Sequence, residues 1–284
     1  MAGTLFVVAT PIGNLDDISA RALRVLSEVS LIAAEDTRRT NHLLQRFGLT
    51  TRSTSFHEHN ARSKAQSLLE RLRAGDSVAL VSDAGTPGIS DPGQELVRLA
   101  LDGGIPVVPI PGPSALTAAL SVCGLAGSGF VFLGFPPSKG GARNEWFERF
   151  RASAAVAPLV VFYEAPHRIV KTMEELGVRF GRLRAFVGRE ISKLHESLEL
   201  CYVTDFVSTA PIGEFVVVVE LGQMTNLDAP RVGPAASVVF DEFGEMTNIK
   251  GLTRRQAIAS LSRKYRIPAR EVYALVEAGK YSPV

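Results

Sequence analysis

Side chains that could move a proton or stabilise a developing charge are concentrated in four short motifs. These are EDTRRT at residues 35–40, FHEHN at 56–60, EAPHR at 164–168 and REISKLHE at 189–196. Histidine and carboxylate groups act as general acids and bases, and cationic side chains stabilise an oxyanion. We therefore take Glu58, His59, Arg39 and Lys193 as catalytic candidates, although the motifs do not single out one base among them.

Each motif also has a purely structural interpretation. Two histidines at i and i+2 with no third ligand nearby do not make a zinc site, so we expect no metal. His57 and His59 are equally consistent with loop residues that bond to the backbone, and Glu190 with Lys193 could form a surface ion pair. The arginines of EDTRRT could pair with the acids of their own motif. The histidine of EAPHR could cap the helix that follows it.

The elements that must position these motifs alternate between strand and helix in the first part of the chain. Apolar runs predict strands at Leu5–Ala9, Leu31–Ala34, Val78–Ser82 and Pro106–Ile110. The spacing of apolar residues predicts helices at Ser19–Val29, Thr40–Phe47, Lys64–Arg73 and Gln94–Asp102. This alternation indicates a parallel sheet with crossover helices.

Three loops rich in small residues follow strands of this predicted sheet. They read VATPIGN at 8–14, SDAGTPG at 82–88 and IPGPSA at 110–115. The carboxyl ends of parallel strands meet at one edge of a sheet, where open α/β sheets bind ligands. Glycine also lets the backbone approach a ligand closely. Three such loops on one edge favour a ligand crevice over isolated turns.

A second α/β pattern follows the first. Its predicted strands are Phe130–Leu133, Leu159–Tyr163, Ala185–Gly188 and Phe215–Leu221, and its predicted helices are Ala115–Val122 with Ser114 as N-cap, Asn144–Ala155 and Arg168–Leu176. We thus expect an N-terminal α/β domain at 1–112 and a C-terminal α/β domain at 113–222. A linker at 223–236 then leads to a helical tail domain at 237–284.

The chain of 284 residues has a net charge of +2, but its positive charge is unevenly distributed. Residues 250–284 carry eight basic and two acidic side chains, around two helices predicted at Thr253–Lys264 and Ala269–Ala278 with helix-turn-helix-like spacing. This tail is compatible with RNA contact or with a solvated face. A second cationic segment at 139–143 contains two glycines, and we predict a mobile loop suited to phosphate.

The composition is that of an ordinary globular protein. Hydrophobic residues make up 46% and charged residues 21%, which excludes a disordered or collagen-like chain. Cys123 and Cys201 are far apart in apolar stretches, which indicates two buried thiols. No apolar run approaches the ~18 residues of a membrane span, and we see no secretory signal. We therefore expect a cytoplasmic protein with no membrane partner.

The order of the motifs resembles that of the tetrapyrrole methylase superfamily, and within it the branch that acts on ribosomal RNA. The resemblance rests on PIGN, EDTRRT, FHEHN, SDAGTPGISDPG, PGPSA, GFPP, YEAPHR and GEFVVVVE, and it extends from Thr4 to about Leu221. It implies two α/β domains with the cofactor cleft between them, and a homodimer. The implied reaction is S-adenosylmethionine-dependent methylation of the ribose 2′-hydroxyl of a cytidine in small-subunit (16S) ribosomal RNA.

The resemblance also implies site residues. The cofactor positions would be Pro11, Gly13, Asp83, Ala84, Gly85, Pro87, Gly88, Ser114, Ala115, Leu133, Tyr163, Pro211 and Gly213. For RNA we expect side chains on both walls of the cleft, namely Arg38, Arg39, His57, Lys139, Arg143, His167 and Arg168. Two other functions remain open from the sequence. One is methylation of a small tetrapyrrole, and the other is non-catalytic RNA binding through the basic tail.

Overall fold

Two five-stranded sheets form the framework in the computed structural model, which describes residues 2–208, 212–221, 236–249, 251–265 and 269–279. The first sheet contains β1 (Leu5–Val8), β2 (Leu31–Ala34), β3 (Ser53–Ser55), β4 (Val78–Val81) and β5 (Val107–Ile110). Its order is β3-β2-β4-β1-β5, and every neighbouring pair is parallel. The predicted parallel sheet is therefore confirmed.

Helices cover both faces of the first sheet. They are α1 (Ala20–Glu28), α2 (Thr37–Arg46), α3 (Ala61–Arg73) and α4 (Gln94–Asp102). Leu5, Val78 and Leu80 belong to the apolar cluster that includes residues of α3 and α4. Ala79 and Val81 pack instead with residues of α1 and α2. Successive side chains of a strand point to opposite faces, so β4 must be apolar throughout, as its sequence VALV is.

The second sheet is mixed. It contains β6 (Phe130–Phe132), β7 (Leu159–Glu164), β8 (Arg184–Arg189), β9 (Ser197–Tyr202) and β10 (Phe215–Glu220), in the order β6-β7-β10-β8-β9. Only β6 and β7 are parallel, and the other three pairs are antiparallel. The accompanying helices are α5 (Ala115–Val122), α6 (Gly140–Ala152) and α7 (Ile169–Phe180). Trp146, Phe147 and Phe150 of α6 lie in its main apolar core.

Two edge strands lack the apolar pattern on which the sequence predictions relied. β3 has the sequence STS and pairs with β2 alone, and β9 has a largely exposed sequence, SLELCY, paired with β8 alone. An edge strand is held by backbone hydrogen bonds to one neighbour and needs no buried side chains. Hydrophobic periodicity therefore gave no signal for β3, and the alternating Leu198 and Leu200 of β9 are exposed and do not face the core.

Three helices form a separate apolar cluster in the described part of the tail. They are α8 (Ala236–Gly244), α9 (Arg254–Tyr265) and α10 (Ala269–Gly279), packed around Val239, Leu261 and Val272 among others. The two predicted tail helices are thus confirmed within a residue or so. Most of the predicted linker lies outside the described residues, and the domain boundaries stay predictions. Among the helices of the described ranges, none has the length and apolar character to span a membrane.

The cationic segment at 139–143 corrects one sequence prediction. It is not a mobile loop, because α6 begins at Gly140, and the Arg143 side chain is only 7% exposed. The Arg143 guanidinium donates to Glu175 Oε2 at 2.8 Å, to Thr172 Oγ1 at 2.9 Å and to the Pro137 carbonyl at 2.8 Å. A guanidinium used in this way inside the fold does not reach RNA phosphate, so the assignment of Arg143 to RNA is wrong.

This buried network continues to the end of β7. Thr172 Oγ1 donates to Glu164 Oε2 at 2.6 Å, and Glu164 Oε1 accepts from Arg168 at 2.7 Å and from the Ala165 backbone at 2.8 Å. Glu164 is 1% exposed, so its charge depends on these donors. The glutamate and arginine of EAPHR therefore serve to hold α6 and α7 against β7.

We predict that Arg143→Met lowers the free energy of unfolding by about 3 kcal/mol, because it leaves partly buried acceptors without their donor. Urea denaturation measures this change. The matched control is Arg151→Met on the same helix, where the ion pair with Glu148 is exposed on both sides. That variant should unfold almost like the wild type. Equal losses in the two variants would contradict the role of the network.

Candidate active site

The three small-residue loops of the first sheet are joined to one another by backbone contacts. Thr10 and Gly85 exchange hydrogen bonds, with N–O distances of 2.9 and 3.0 Å. Thr86 Oγ1 then donates to the Pro113 carbonyl at 3.3 Å. Gly85 has φ of +81°, a conformation that is costly for a residue with a side chain. The three loops therefore form one continuous wall at the carboxyl edge of the sheet.

A cleft of about 380 Å³ lies between this wall and the edge of the second sheet. From the first sheet side it is lined by Ile12, Glu35, Arg39, the segment 83–86, the segment 89–91, Ser114 and Ala115. From the second sheet side it is lined by Phe135, the segment 163–166, Gly188, Ile191, Lys193 and the segment 214–216. Its volume is within the range of small-molecule sites, and its lining combines apolar side chains with charged and hydroxyl groups.

The loop after β8 closes the cleft by docking on the first loop of the chain. A Cβ on Gly13 would lie 2.4 Å from Lys193 Cγ, so only glycine permits this approach. Ser192 Oγ accepts from the Asn14 backbone at 3.1 Å and donates to Asp17. Gly213 has φ of +95°, and a Cβ on it would lie 2.5 Å from Glu190 Cγ, so glycine is required here as well. Both glycines thus position the wall of the cleft.

Five carboxylates line the cleft: Glu164, whose charge is satisfied by the buried network, and Glu35, Asp83, Asp91 and Glu214. Burial, followed by the negative charge of Glu35, raises the pKa of Asp91 to about 6. Burial is also the main cause that raises the pKa of Glu35. Asp83 accepts from the Asp36 backbone at 2.8 Å and lies 3.6 Å from Arg39. Such a concentration of partly desolvated acids favours a ligand that brings positive charge.

Two cations balance this cluster in part. Lys193 Nζ donates to Glu190 at 2.9 Å and to Glu214 at 3.1 Å. Burial opposes protonation of this amine, but the hydrogen bonds to Glu190 and Glu214 outweigh it and raise the pKa of Lys193. Lys193 therefore stays protonated at neutral pH and can stabilise a negative charge, but it is not a general base. The same limit applies to Arg39, whose guanidinium does not deprotonate.

The comparisons with known proteins agree with this architecture. The family model described as Tetrapyrrole (Corrin/Porphyrin) Methylases matches residues 4–206. Ribosomal RNA small subunit methyltransferase I of Synechocystis sp. is 43% identical over 96% of this chain and 97% of that protein. The protein of the same name from Pseudomonas aeruginosa is 51% identical over 84% of this chain and 86% of its own length.

This chain belongs to the tetrapyrrole (corrin/porphyrin) methylase family. Solved structures share its fold at lower identity. Uroporphyrin-III C-methyltransferase from Thermus thermophilus, complexed with S-adenosyl homocysteine, has a TM-score of 0.57 and 21% identity over 78% of this chain and all of that one. The methyltransferase CobJ has a TM-score of 0.57 and 22% identity over 77% of this chain and 94% of its own.

Eight of the sequence-predicted site residues of this methylase lie together in the cleft. They are Asp83, Ala84, Gly85, Ser114, Ala115, Tyr163, Arg39 and Lys193. Ser114 stands at the N-cap position of α5, although its side chain does not cap the helix. Their shared position follows from the strand ends and helix starts on which they lie.

Other predicted cofactor residues do not line the cleft. Pro11 lies in a neighbouring groove beside Arg39 and Arg46, and Pro87 and Gly88 lie further along the SDAG loop. Leu133 is buried in the second core, where its carbonyl accepts from the Trp146 indole at 3.2 Å. Gly13 and Gly213 do not line the cleft, but they permit the close approach of Lys193 and Glu190. Pro211 lies outside the described residues.

The FHEHN motif also lies outside the lining of the cleft. Glu58 and His59 are exposed in the turn before α3, so the structure does not bring these two catalytic candidates to the site. His57 is held by Asn60, whose side chain accepts from the His57 backbone at 2.9 Å. Its Nδ1 is buried without a hydrogen-bond partner in the described part of the chain. Within the same residues, no group of three ligands could hold a metal ion.

The cationic side chains predicted to bind RNA differ in their solvent exposure and in their ion pairs. Arg38 is 88% exposed, but it pairs with Asp36 at 2.7 Å and its hydrogen bonds lower the pKa of Asp36 to about 2. Lys139 and His167 are exposed. Arg168 is committed to Glu164 and to the Pro136 carbonyl. The exposed cations of this set are therefore Arg38, Arg39 and Lys139.

Sequence reasoning missed several residues that line the cleft. Glu35, Asp91 and Glu214 are the acids described above, and Ile89 and Phe135 lie on the same wall. Glu35 directly follows β2 and Glu214 directly precedes β10, so strand-end position was an available signal for both. Asp91 and Ile89 are eight or more residues beyond the end of β4, and only the folded loop brings them back.

We predict that Asp91→Asn stabilises the methylase at neutral pH. The carboxyl has a higher pKa in the fold than in the unfolded chain, so its stabilising contribution is present below about pH 4 and is lost as pH rises through 6. The Tm difference between Asp91→Asn and wild type should therefore grow from pH 4 to pH 7.5. Asp102→Asn serves as the exposed control. A difference that does not change with pH would contradict the desolvation of Asp91.

Proposed function

We propose that this methylase transfers a methyl group from S-adenosylmethionine to the ribose 2′-hydroxyl of a cytidine in small-subunit (16S) ribosomal RNA. The observation that carries the proposal is the match along nearly the whole chain to relatives named for that RNA, at 43 and 51% identity. The uroporphyrin methyltransferase structures are 20–22% identical and support the fold alone.

The cleft fits S-adenosylmethionine in size and in charge. The bound molecule supplies an electrophilic methyl group on a sulfonium and also carries an ammonium group. The carboxylates of Glu35, Asp83 and Asp91 offer complementary negative charge. Gly85 and Ala115 leave space for the backbone to contact the adenosine and the amino-acid end. A solved structure of a protein with this fold is complexed with S-adenosyl homocysteine, which supports the same assignment.

The residues of the cleft can assist methyl transfer by alignment and charge. The reaction forms an O–C bond as the C–S bond breaks, and the hydroxyl proton leaves to a base or to water. Positioning of the two reactants in line can supply much of the rate. Lys193 and Arg39 are cations at the cleft that stabilise negative charge developing on the ribose oxygen. No metal takes part in this scheme.

The RNA would cross the mouth of the cleft, which Arg39 lines, and Arg38 and Lys139 offer further exposed positive charge. The basic tail offers further positive charge, since Arg255 and Arg270 are exposed on α9 and α10. Within EAPHR, Glu164 and Arg168 are used inside the fold, whereas Ala165 and Pro166 line the cleft and His167 is exposed. We also propose that the protein forms a homodimer and acts in the cytoplasm. This part of the proposal rests on the resemblance to the family.

A tetrapyrrole substrate is the second candidate, because the family model and the solved structures are named for such methylases. Both candidates use the same cofactor cleft, so cofactor binding does not separate them. The acceptor does, because one product is a 2′-O-methylated nucleotide in RNA and the other is a C-methylated macrocycle.

We predict that wild-type protein with labelled S-adenosylmethionine modifies unmethylated small-subunit RNA and leaves uroporphyrinogen III unlabelled. Ribose-methylation mapping should locate one cytidine. Ala115→Leu, which fills the cleft, should lose at least about tenfold in cofactor affinity by calorimetry and lose activity in parallel. Thr117→Leu on the exposed side of α5 is the matched control. Label in the macrocycle alone would establish the second candidate instead.

We also predict that the tail contributes to RNA affinity through phosphate contacts. In the full chain, the double variant Arg255→Gln, Arg270→Gln should flatten the slope of log Kd against log salt by about 1.4 to 1.8 units, because two fewer phosphates are neutralised and fewer counterions are released. Cofactor affinity should not change. The control removes two exposed cations of α1 as Arg21→Gln, Arg24→Gln. An unchanged slope in the tail variant would show that these two arginines are only solvated.

A further inference from the structure

The cleft has an apolar rim that neither the cofactor nor the phosphate contacts account for. Phe135 is 50% exposed and Ile89 is 40% exposed, and both line the cleft. Apolar side chains that line a cleft and are open to solvent can pack against a bound ligand. Phe135 belongs to the GFPP segment at 134–137, and its aromatic ring has no part in the methyl transfer or phosphate contacts proposed for the cleft.

The ring of Phe135 is held in place from the protein side. Its centroid is 5.4 Å from that of Tyr163 with the planes tilted by 57°, and Tyr163 in turn packs edge-on against Phe132 at 5.0 Å. This chain of aromatic contacts starts from β6 and β7, which belong to the rigid second sheet. Phe135 is thus supported on one side while half of its surface stays open to solvent.

The loops that carry Phe135 and Ile89 meet across the cleft. The position of a Cβ on Gly134 is 3.5 Å from Ser90 Oγ. Gly134 has φ of +62° and Ser90 has φ of +63°, which is an uncommon backbone conformation for serine. Strained backbone persists where the surrounding structure holds a side chain for a purpose. The strained residue, Ser90, directly follows Ile89. It lies beside Gly134, which directly precedes Phe135.

We propose that Phe135, with Ile89 opposite, forms the binding site for the nucleobase of the target nucleotide. The inference rests on the proposed function and deepens it. A ribose that reaches the sulfonium from a folded RNA must bring its base out of the helical stack, and the unstacked base needs a new aromatic surface. Phenylalanine has no hydrogen-bonding group, so this site stacks on any base and does not read its edge.

The position of Phe135 suits this role. It shares the cleft with Arg39 and Lys193, the two cations assigned to the ribose oxygen. A base held at the rim places its own ribose toward the interior of the cleft and its phosphates toward the exposed cations. Loss of one stacking contact weakens nucleic-acid binding by about five- to 150-fold, so the effect is measurable.

The first test separates binding of RNA from binding of cofactor. Phe135→Leu should raise KM for unmethylated small-subunit RNA at least about fivefold and leave the calorimetric Kd of S-adenosylmethionine within about twofold. Phe135→Tyr and Phe135→Trp should restore KM, because each offers an aromatic face. The matched control is Phe130→Leu, which removes a 46% exposed phenylalanine on β6 away from the cleft.

Two outcomes of this test would overturn the proposal. A parallel loss of S-adenosylmethionine affinity in Phe135→Leu would place the ring against the cofactor adenine. An unchanged KM for RNA, in an assay where wild type methylates that RNA, would show that the ring only packs against Tyr163.

The second test does not depend on methyl transfer, so it remains informative if the proposed reaction is wrong. The single native tryptophan, Trp146, is 2% exposed and is shielded from a ligand at the rim, so quenching in Phe135→Trp beyond that in wild type reports on the rim. With S-adenosylhomocysteine present, hexacytidylate should quench this emission, and an abasic ribose-phosphate hexamer of equal charge should not. Quenching by neither hexamer, or equally by both, would contradict a nucleobase site.

Discussion

The pairing of Thr10 with Gly85 is the contact on which the rest of the site depends. It joins the loop after β1 to the loop after β4, two neighbouring parallel strands whose ends the sheet already places side by side. Gly85 can make this bridge because its backbone adopts a positive φ. The hydroxyl of the next residue then reaches Pro113, so the third loop is fixed by the same contact. One wall of the cleft is rigid as a consequence.

The opposite wall is built by a different kind of constraint, namely close approach of backbone to side chain. Gly13 and Gly213 have no Cβ at the two places where the segment after β8 crosses. Without these two Cβ atoms, Lys193 can lie inside the cleft between Glu190 and Glu214. Its hydrogen bonds to both carboxylates raise its pKa and keep the amine protonated. The two glycines therefore act on the chemistry through the lysine, although neither lines the cleft.

Stability and function use similar residues in different ways in this protein. Glu164 is buried, but three donors, from Ala165, Thr172 and Arg168, satisfy its charge, so it belongs to the framework. Asp91 is partly buried among other acids, and its raised pKa shows that the fold disfavours its charge. A carboxylate that is kept where its ionisation is disfavoured is better explained by a cationic ligand than by packing.

The sequence alone determined the alternation of elements in the first sheet and which loops meet at its edge. Asp83, Gly85, Ser114 and Ala115 could be placed because strand direction is local information, and parallel strands present their ends together. Tertiary structure decided which polar side chains enter the cleft. Arg143 follows an exposed lysine segment in the sequence, but its side chain forms hydrogen bonds inside the fold. Asp91 and Phe135 line the same cleft, although they follow strands of different sheets. Such contacts depend on packing between residues far apart in sequence, which spacing and residue type do not encode.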